Sequence, residues 1–177
     1  LPERYVVFYG RIGEEKGIRI LMQVWNKLPN IPLVVMGGGP LENEFKQWAE
    51  QHGNVHFLGY TQHDKCLSIV KGGEFVVFPS IWYEGCSMVE IETESLGKGL
   101  IATDLGFSAE AIENNINGYK IRIGDVNGFA ERIEKLWNSP DLIYKIGGNA
   151  RYDYEQKYKP EDNYKQLMEI YQKTIGS

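Results

Sequence analysis

Tyr5-Val6-Val7-Phe8-Tyr9 runs directly into Gly10-Arg11-Ile12-Gly13-Glu14-Glu15-Lys16-Gly17. Beyond that glycine, Ile18, Leu21, Met22, Trp25 and Leu28 recur at i, i+3, i+4, i+7 and i+10. A run that is apolar at every position, rather than at alternate ones, marks a strand covered on both faces, as in a parallel sheet. The recurrence that follows marks a helix with one buried stripe. Glycines between the two permit a tight turn or a close approach to a ligand. The stretch reads as the first strand-loop-helix unit of an α/β domain.

The same alternation continues outward. Further apolar runs are Leu33–Met36, Val55–Leu58, Phe75–Phe78, Leu100–Thr103 and Tyr119–Ile123. Leu41, Phe45, Trp48 and Ala49 repeat the helical face, as do Phe129, Ile133, Leu136 and Trp137. Tyr164, Leu167, Met168, Tyr171 and Ile175 form the cleanest stripe and define a terminal helix over 160–175. Pro29, Gly53, Gly72 and Pro140 punctuate the helix ends. The pattern predicts a Rossmann-like, doubly wound, mainly parallel sheet of about six strands, with helices on both faces and a helical carboxy-terminal tail. The tail after Asn138 has no strand partner. It is expected to pack outside the sheet or to reach across to another domain.

Composition narrows the function. The 177 residues suit one domain spanning 1–177, large enough to bury a core without metals or disulfides. With 19 basic and 24 acidic residues the net charge is −5, against the basic face that sequence-independent nucleic-acid binding needs. A hydrophobic fraction of 42% excludes disorder. Cys66 and Cys86 make neither a disulfide framework nor a zinc site. His52 and His56 are separated by the helix breakers Gly53 and Asn54; with His63 they read as solvated loop residues, so no metal site is expected. There is no membrane-length apolar run and no signal-peptide pattern, so a cytoplasmic setting is expected. The chain enters a strand within a few residues of Leu1, which suggests a piece of a longer polypeptide.

In a sheet of this kind ligands bind beyond the carboxyl ends of the strands. The loops there are Gly10–Gly17, Gly37–Pro40, Gly59–Asp64, Pro79–Met88 and Asp104–Glu110. In the first, Arg11 offers a planar fork and Lys16 a mobile charge to phosphate oxygens, near a helix N-terminus whose free N–H groups attract anions. The alternative makes both surface charges beside Glu14 and Glu15. Gly37-Gly38-Gly39-Pro40 is a tight turn with Pro40 at a helix start, or a direct ligand contact. In the fourth loop and the helix after it, Glu84 and Glu92 have seven residues between them. A carboxylate at the sheet mouth can accept hydrogen bonds from sugar hydroxyls, and Gly85–Met88 presents backbone N–H groups at a helix start. The alternative is that such Glu residues merely complement the helix dipole; Glu90 and Glu94 are read in that ordinary way.

Gly10-Arg11 with Glu15-Lys16-Gly17, Gly37-Gly38-Gly39-Pro40, Phe57-Leu58-Gly59, Pro79-Ser80, Glu84-Gly85 with Glu92, Ala102-Thr103-Asp104 and Asn117-Gly118 occur in that order. From Tyr5 to about Tyr171 the chain resembles the carboxy-terminal, donor-binding domain of group 1 retaining glycosyltransferases of sequence family four, which have the two-domain GT-B fold. The resemblance implies that Gly10, Arg11 and Lys16 hold the donor diphosphate. It implies that Glu84 is the catalytic carboxylate, contacting the transferred sugar. The backbone of Gly85, Cys86, Ser87 and Met88 would bind sugar hydroxyls and phosphate. Glu92 would hold the ribose, and Gly37, Gly59, Tyr60 and Thr61 would line the nucleobase site. Ser87 stands where relatives often have glycine, placing a hydroxyl where the backbone nears the sugar. Phe107 and Ala109 depart from a usual Gly-Gly-x-Pro-Glu pattern at Gly106–Glu110, and Lys98 reads as surface variation.

The activity so implied is metal-independent transfer of a sugar, with retention, from a UDP- or GDP-sugar to a saccharide or lipid-linked acceptor, as in polysaccharide biosynthesis. No cofactor is implied and no nucleic acid. The partner implied is an amino-terminal acceptor domain, and the fragment alone would be inactive. The setting would be cytoplasmic or peripheral to the inner face of the membrane. The competing readings are half of a nucleotide-sugar epimerase and a non-catalytic nucleotide-binding module.

Overall fold

The computed structural model describes residues 1–175. Six strands form one sheet: β1 (Val6–Tyr9), β2 (Leu33–Met36), β3 (Val55–Phe57), β4 (Val76–Phe78), β5 (Leu100–Thr103) and β6 (Gly118–Ile121). Their order is β3-β2-β1-β4-β5-β6 and every pairing is parallel. The expected fold is the observed one; β2 and β5 match the expected runs, β1, β3 and β4 are one residue shorter, and β6 begins one residue earlier and ends two earlier.

The helices are α1 (Ile18–Trp25), α2 (Glu42–Ala49), α3 (His63–Gly72), α4 (Met88–Ser95), α5 (Phe107–Ala111), α6 (Val126–Trp137), α7 (Pro140–Lys157) and α8 (Pro160–Ile175), with a 3-10 turn at Glu14–Lys16. Period-two alternation within the apolar runs sends side chains to both faces. Val6, Phe8, Leu33, Val35, Val77 and Ile101 pack with α1, α2 and α6 around the fully buried Trp25, Phe45 and Phe129. Tyr5, Val7, Val34, Val76 and Leu100 pack on the other face with Cys66, Ile69 and Val70 of α3, Val89 of α4 and Leu96 just past it. Each fully buried Val or Leu contributes about 1.5–3 kcal/mol, so the two cores fix the register of every strand.

The tail divides. α7 packs on α4 through a glycine contact, where a Cβ on Gly147 would strike the Gly97 carbonyl. It buries Ile146 and Ala150. α8 buries no residue and exposes Tyr164, Leu167, Ile170, Tyr171 and Ile175. Tyr164 and Leu167 of its stripe face α4 across a cavity that Met88 and Ile91 also line, while Ile170, Tyr171 and Ile175 stay exposed. Lys98 is not surface variation: the half-buried chain donates from Nζ to the Gly73 carbonyl (2.6 Å), and burial lowers its pKa.

Candidate active site

Strand order reverses direction between β1 and β4, which opens a crevice above their carboxyl ends. The five loops named above gather there and are joined by main-chain hydrogen bonds. Gly10 N donates to Met36 O, Ile12 N to Gly38 O and Gly37 N to Gly59 O, tying the first three together. Ile81 N donates to Glu15 O, and Phe107 N to Glu84 O (2.8 Å), tying in the other two. Two glycines make this packing possible. Gly37, at φ +145°, touches Gly10 so closely that a Cβ would overlap the Gly10 carbonyl. Gly17, at φ +71°, is pressed likewise against the Pro79 carbonyl.

Two cavities flank Arg11. One, of about 480 Å³, is lined by Arg11, Glu15, Lys16, Trp82 and Glu84. Within it Lys16 Nζ donates to Glu84 Oε1, and both side chains are mostly buried. Ser80 Oγ approaches the same oxygen at 3.5 Å. Arg11 pairs with Glu15 at 3.4 Å and is largely exposed. The reading of both cations as charges beside Glu14 and Glu15 therefore holds for Arg11 alone. Lys16 reaches across to Glu84, and Glu14 pairs instead with Arg19.

The other cavity, of about 400 Å³, is lined by Tyr9, Gly10, Arg11, Met36, Gly37, Gly38, Tyr60, Thr61, His63 and Cys66. Arg11 borders both cavities. Glu92, in the middle of α4, lines a separate cavity with Met88, Tyr158 and Leu167, and its Oε1 lies 3.5 Å from His63 Nε2 of the second. Burial raises its carboxyl pKa, and His63 and the Tyr9 hydroxyl oppose that rise. Burial also pushes the Cys66 thiol up to about 11, with the Glu92 charge adding to it, so this cysteine is an inert wall.

Gly85, Cys86 and Met88 are exposed at the start of α4, whereas Ser87 is buried. Its Oγ accepts from Glu90 N (3.4 Å) and caps α4. Its hydroxyl is turned inward to the first turn of α4. Phe107 is half-buried, with its ring 5.9 Å from that of Tyr158.

The histidines and two glutamates also correct the sequence reading. His52 stacks on Trp48 (4.2 Å) and contacts Asn26 Oδ1 (2.9 Å), and His56 lies on β3. His63 borders the site. The signal missed was its place in the loop after β3, four residues past Gly59. Glu90 and Glu94 are buried, with relative exposures of 0% and 4%. Burial pushes Glu94 up to about 8, and Asp153 and Glu90 add to it against Lys157. A carboxyl whose folded pKa exceeds its ordinary 4.5 adds stability that is present below that value and lost as pH rises to about 8. Glu94→Gln should therefore change little near pH 4.5 and raise stability by on the order of 4 kcal/mol at pH 8. Thermal melts at the two pH values check this, and a gap that does not grow with pH contradicts it.

Among the described residues no cluster of three or more His, Cys, Asp or Glu could hold a metal ion, and no helix is long and apolar enough to cross a membrane. The family model for glycosyl transferases group 1 matches residues 1–153. The O-antigen chain mannosyltransferase C of Escherichia coli is 26% identical over 99% of this chain and 48% of its own. The capsular polysaccharide biosynthesis glycosyltransferase CapM of Staphylococcus aureus is 29% identical over 97% of this chain and 47% of its own. A TarM mutant of S. aureus, solved with fondaparinux, alpha-GlcNAc-glycerol and UDP, superposes with a TM-score of 0.84 at 25% identity, over 95% of this chain and 35% of that one. The chain thus spans about half the length of the curated relatives it matches. With a family model covering most of its length and the six-stranded doubly wound sheet that the solved relatives share, the chain belongs to the group 1 glycosyl transferases.

Proposed function

We propose that this chain is the donor-binding, carboxy-terminal half of a two-domain retaining glycosyltransferase that takes its sugar from a nucleoside-diphosphate sugar. The observation that carries the reading is the pair of cavities meeting at Arg11, with Lys16 and Glu84 in one and His63 of the other 3.5 Å from Glu92. A nucleoside in the cavity bounded by Gly37, Tyr60 and Thr61 would present its ribose to Glu92. Its diphosphate would pass Arg11 and Lys16, and its sugar would lie against Glu84 and the Gly85–Met88 backbone. The UDP in the TarM complex is the corresponding ligand class.

Chemistry follows from the charges. Departure of a nucleoside diphosphate from the anomeric carbon builds negative charge on the bridging oxygen. Arg11, Lys16 and the N-terminus of α4 offset that charge without a metal. Lys16 would leave Glu84 for the diphosphate, which frees the Glu84 carboxylate to accept from sugar hydroxyls and to face the electron-poor anomeric centre. The acceptor and the opposite cleft wall would come from an amino-terminal domain docked against the exposed stripe of α8. An epimerase or a non-catalytic module is less well supported, since a family of transferases matches and the charged positions Arg11, Lys16, Glu84 and Glu92 all persist.

The two-domain protein should release UDP or GDP from a nucleotide-sugar in the presence of a saccharide or lipid-linked acceptor, and this chain alone should transfer none. Half a cleft lacks the proximity that makes the step effectively unimolecular. Measurable transfer by this chain alone would show that the site is misplaced.

A further inference from the structure

Glu90 is fully buried on the inner side of α4, and its carboxyl closes a ring of bonds around the sugar-facing loop. Its Oε1 accepts from Ser108 Oγ (2.7 Å) on α5. Its own N–H donates to Ser87 Oγ, which begins α4. Phe107, the residue before Ser108, donates its N–H to the Glu84 carbonyl (2.8 Å). The ring thus runs from Glu84 through Phe107, Ser108, Glu90 and Ser87 back along the chain to Glu84. Gly106 completes the fit, because a Cβ there would press on the Glu84 backbone. The segment carrying Glu84 is held to α5 through Glu90.

From this geometry, and resting on the donor-site reading above, we infer that Glu90 is a positioning residue for Glu84 whose carboxyl takes up a proton when the nucleoside diphosphate binds.

The buried surroundings explain why. Glu90 Oε2 has no hydrogen-bond partner, so an ionised carboxylate is poorly solvated there. Burial raises its pKa to about 7, against the hydrogen bonds from Ser108 and Ser87. The charged and titratable groups around it are Glu84 in the loop after β4, Lys16 in the 3-10 turn, Glu94 one turn along α4 and Tyr158 at the end of α7. Of these, Lys16 is the group that favours the ionised form and Glu84 disfavours it. A diphosphate engaging Lys16 removes that support, leaves Glu84 without its counter-charge and adds negative charge of its own. All three changes favour neutral Glu90. In the neutral form the ring stays bonded and the site carries one negative charge fewer. A glutamine would reproduce that neutral form, keeping an oxygen for Ser108 while removing the titration.

The test is calorimetric titration with UDP between pH 6 and 8.5, on the native chain and on Glu90→Gln. The ligand's phosphate and every other side chain of the site are common to both proteins, so the difference between the two profiles isolates Glu90. Relative to Glu90→Gln, the native chain should lose affinity by roughly three- to tenfold as pH rises across the range. A second measurement compares the same two proteins: at pH 7.5, titrations in buffers of different ionisation enthalpy should show more proton uptake by the native chain than by Glu90→Gln. Parallel pH profiles for the two proteins, or equal proton exchange by them, overturn the role of Glu90 and leave the donor site standing. Absence of UDP binding by either folded protein at every pH overturns the donor site and this inference together.

Discussion

Lys16→Ala should lower kcat of the two-domain enzyme by about two to three orders of magnitude, the usual cost of deleting one group aimed at charge that develops in a transition state. Lys16 is the mostly buried cation of its cavity and already holds a carboxylate there. Its Nζ lies 5.3 Å from the Phe78 ring centroid, so the aromatic wall of β4 keeps it at the mouth of the sheet. Arg11, largely exposed and paired with Glu15, should cost less when changed to Ala. The effect should fall on kcat more than on KM, because the charge on the bridging oxygen peaks in the transition state. Steady-state kinetics on both variants, with unfolding curves to show that each is folded, checks the order. Turnover of folded Lys16→Ala within threefold of the native enzyme would remove Lys16 from the catalytic machinery.

Much of this was legible in the sequence, for a physical reason. The apolar runs at Tyr5–Tyr9, Leu33–Met36 and Leu100–Thr103 are buried on both faces, and a doubly covered strand tolerates few polar residues, so its pattern is plain. The ligand-side loops followed from the fold, because parallel strands all end on the same edge. Side-chain partners were less accessible. Nothing in the spacing of Lys16 and Glu84 shows that they pair, since the contact depends on how the first and fourth loops are laced by Ile81 and Glu15. Glu90 and Glu94 were misread because acidic residues early in a helix are ordinarily solvated. Their burial arises from α5 and α7 closing over α4, and α7 carries no strand whose periodicity would announce the contact. The inward turn of Ser87 has the same origin: the α4 N-cap competes for its hydroxyl and wins. His63 looked like a loop residue because only the fold brings the start of α3 beside Glu92.

The two carboxylates of the site should respond to nucleotide in opposite ways. Glu92 lies 3.5 Å from His63 of the cavity proposed for the nucleoside, so Glu92→Gln should weaken bare UDP or GDP by roughly ten- to a hundredfold, the worth of a charge-assisted hydrogen bond of about 1.5–3 kcal/mol. In the proposed placement Glu84 faces the sugar end. Glu84→Gln should leave bare nucleotide within a few-fold, and should lower kcat of the two-domain enzyme strongly. If these glutamates were merely structural, both variants would shift the melting temperature a little and the affinity not at all. Titration of the native chain, Glu92→Gln and Glu84→Gln with UDP and then with a UDP-sugar puts the placement of the donor to its most direct test. The account predicts that the Glu92 variant loses nucleotide binding while the Glu84 variant keeps it. Bare nucleotide weakened more by Glu84→Gln than by Glu92→Gln, or bound equally by all three proteins, would contradict it.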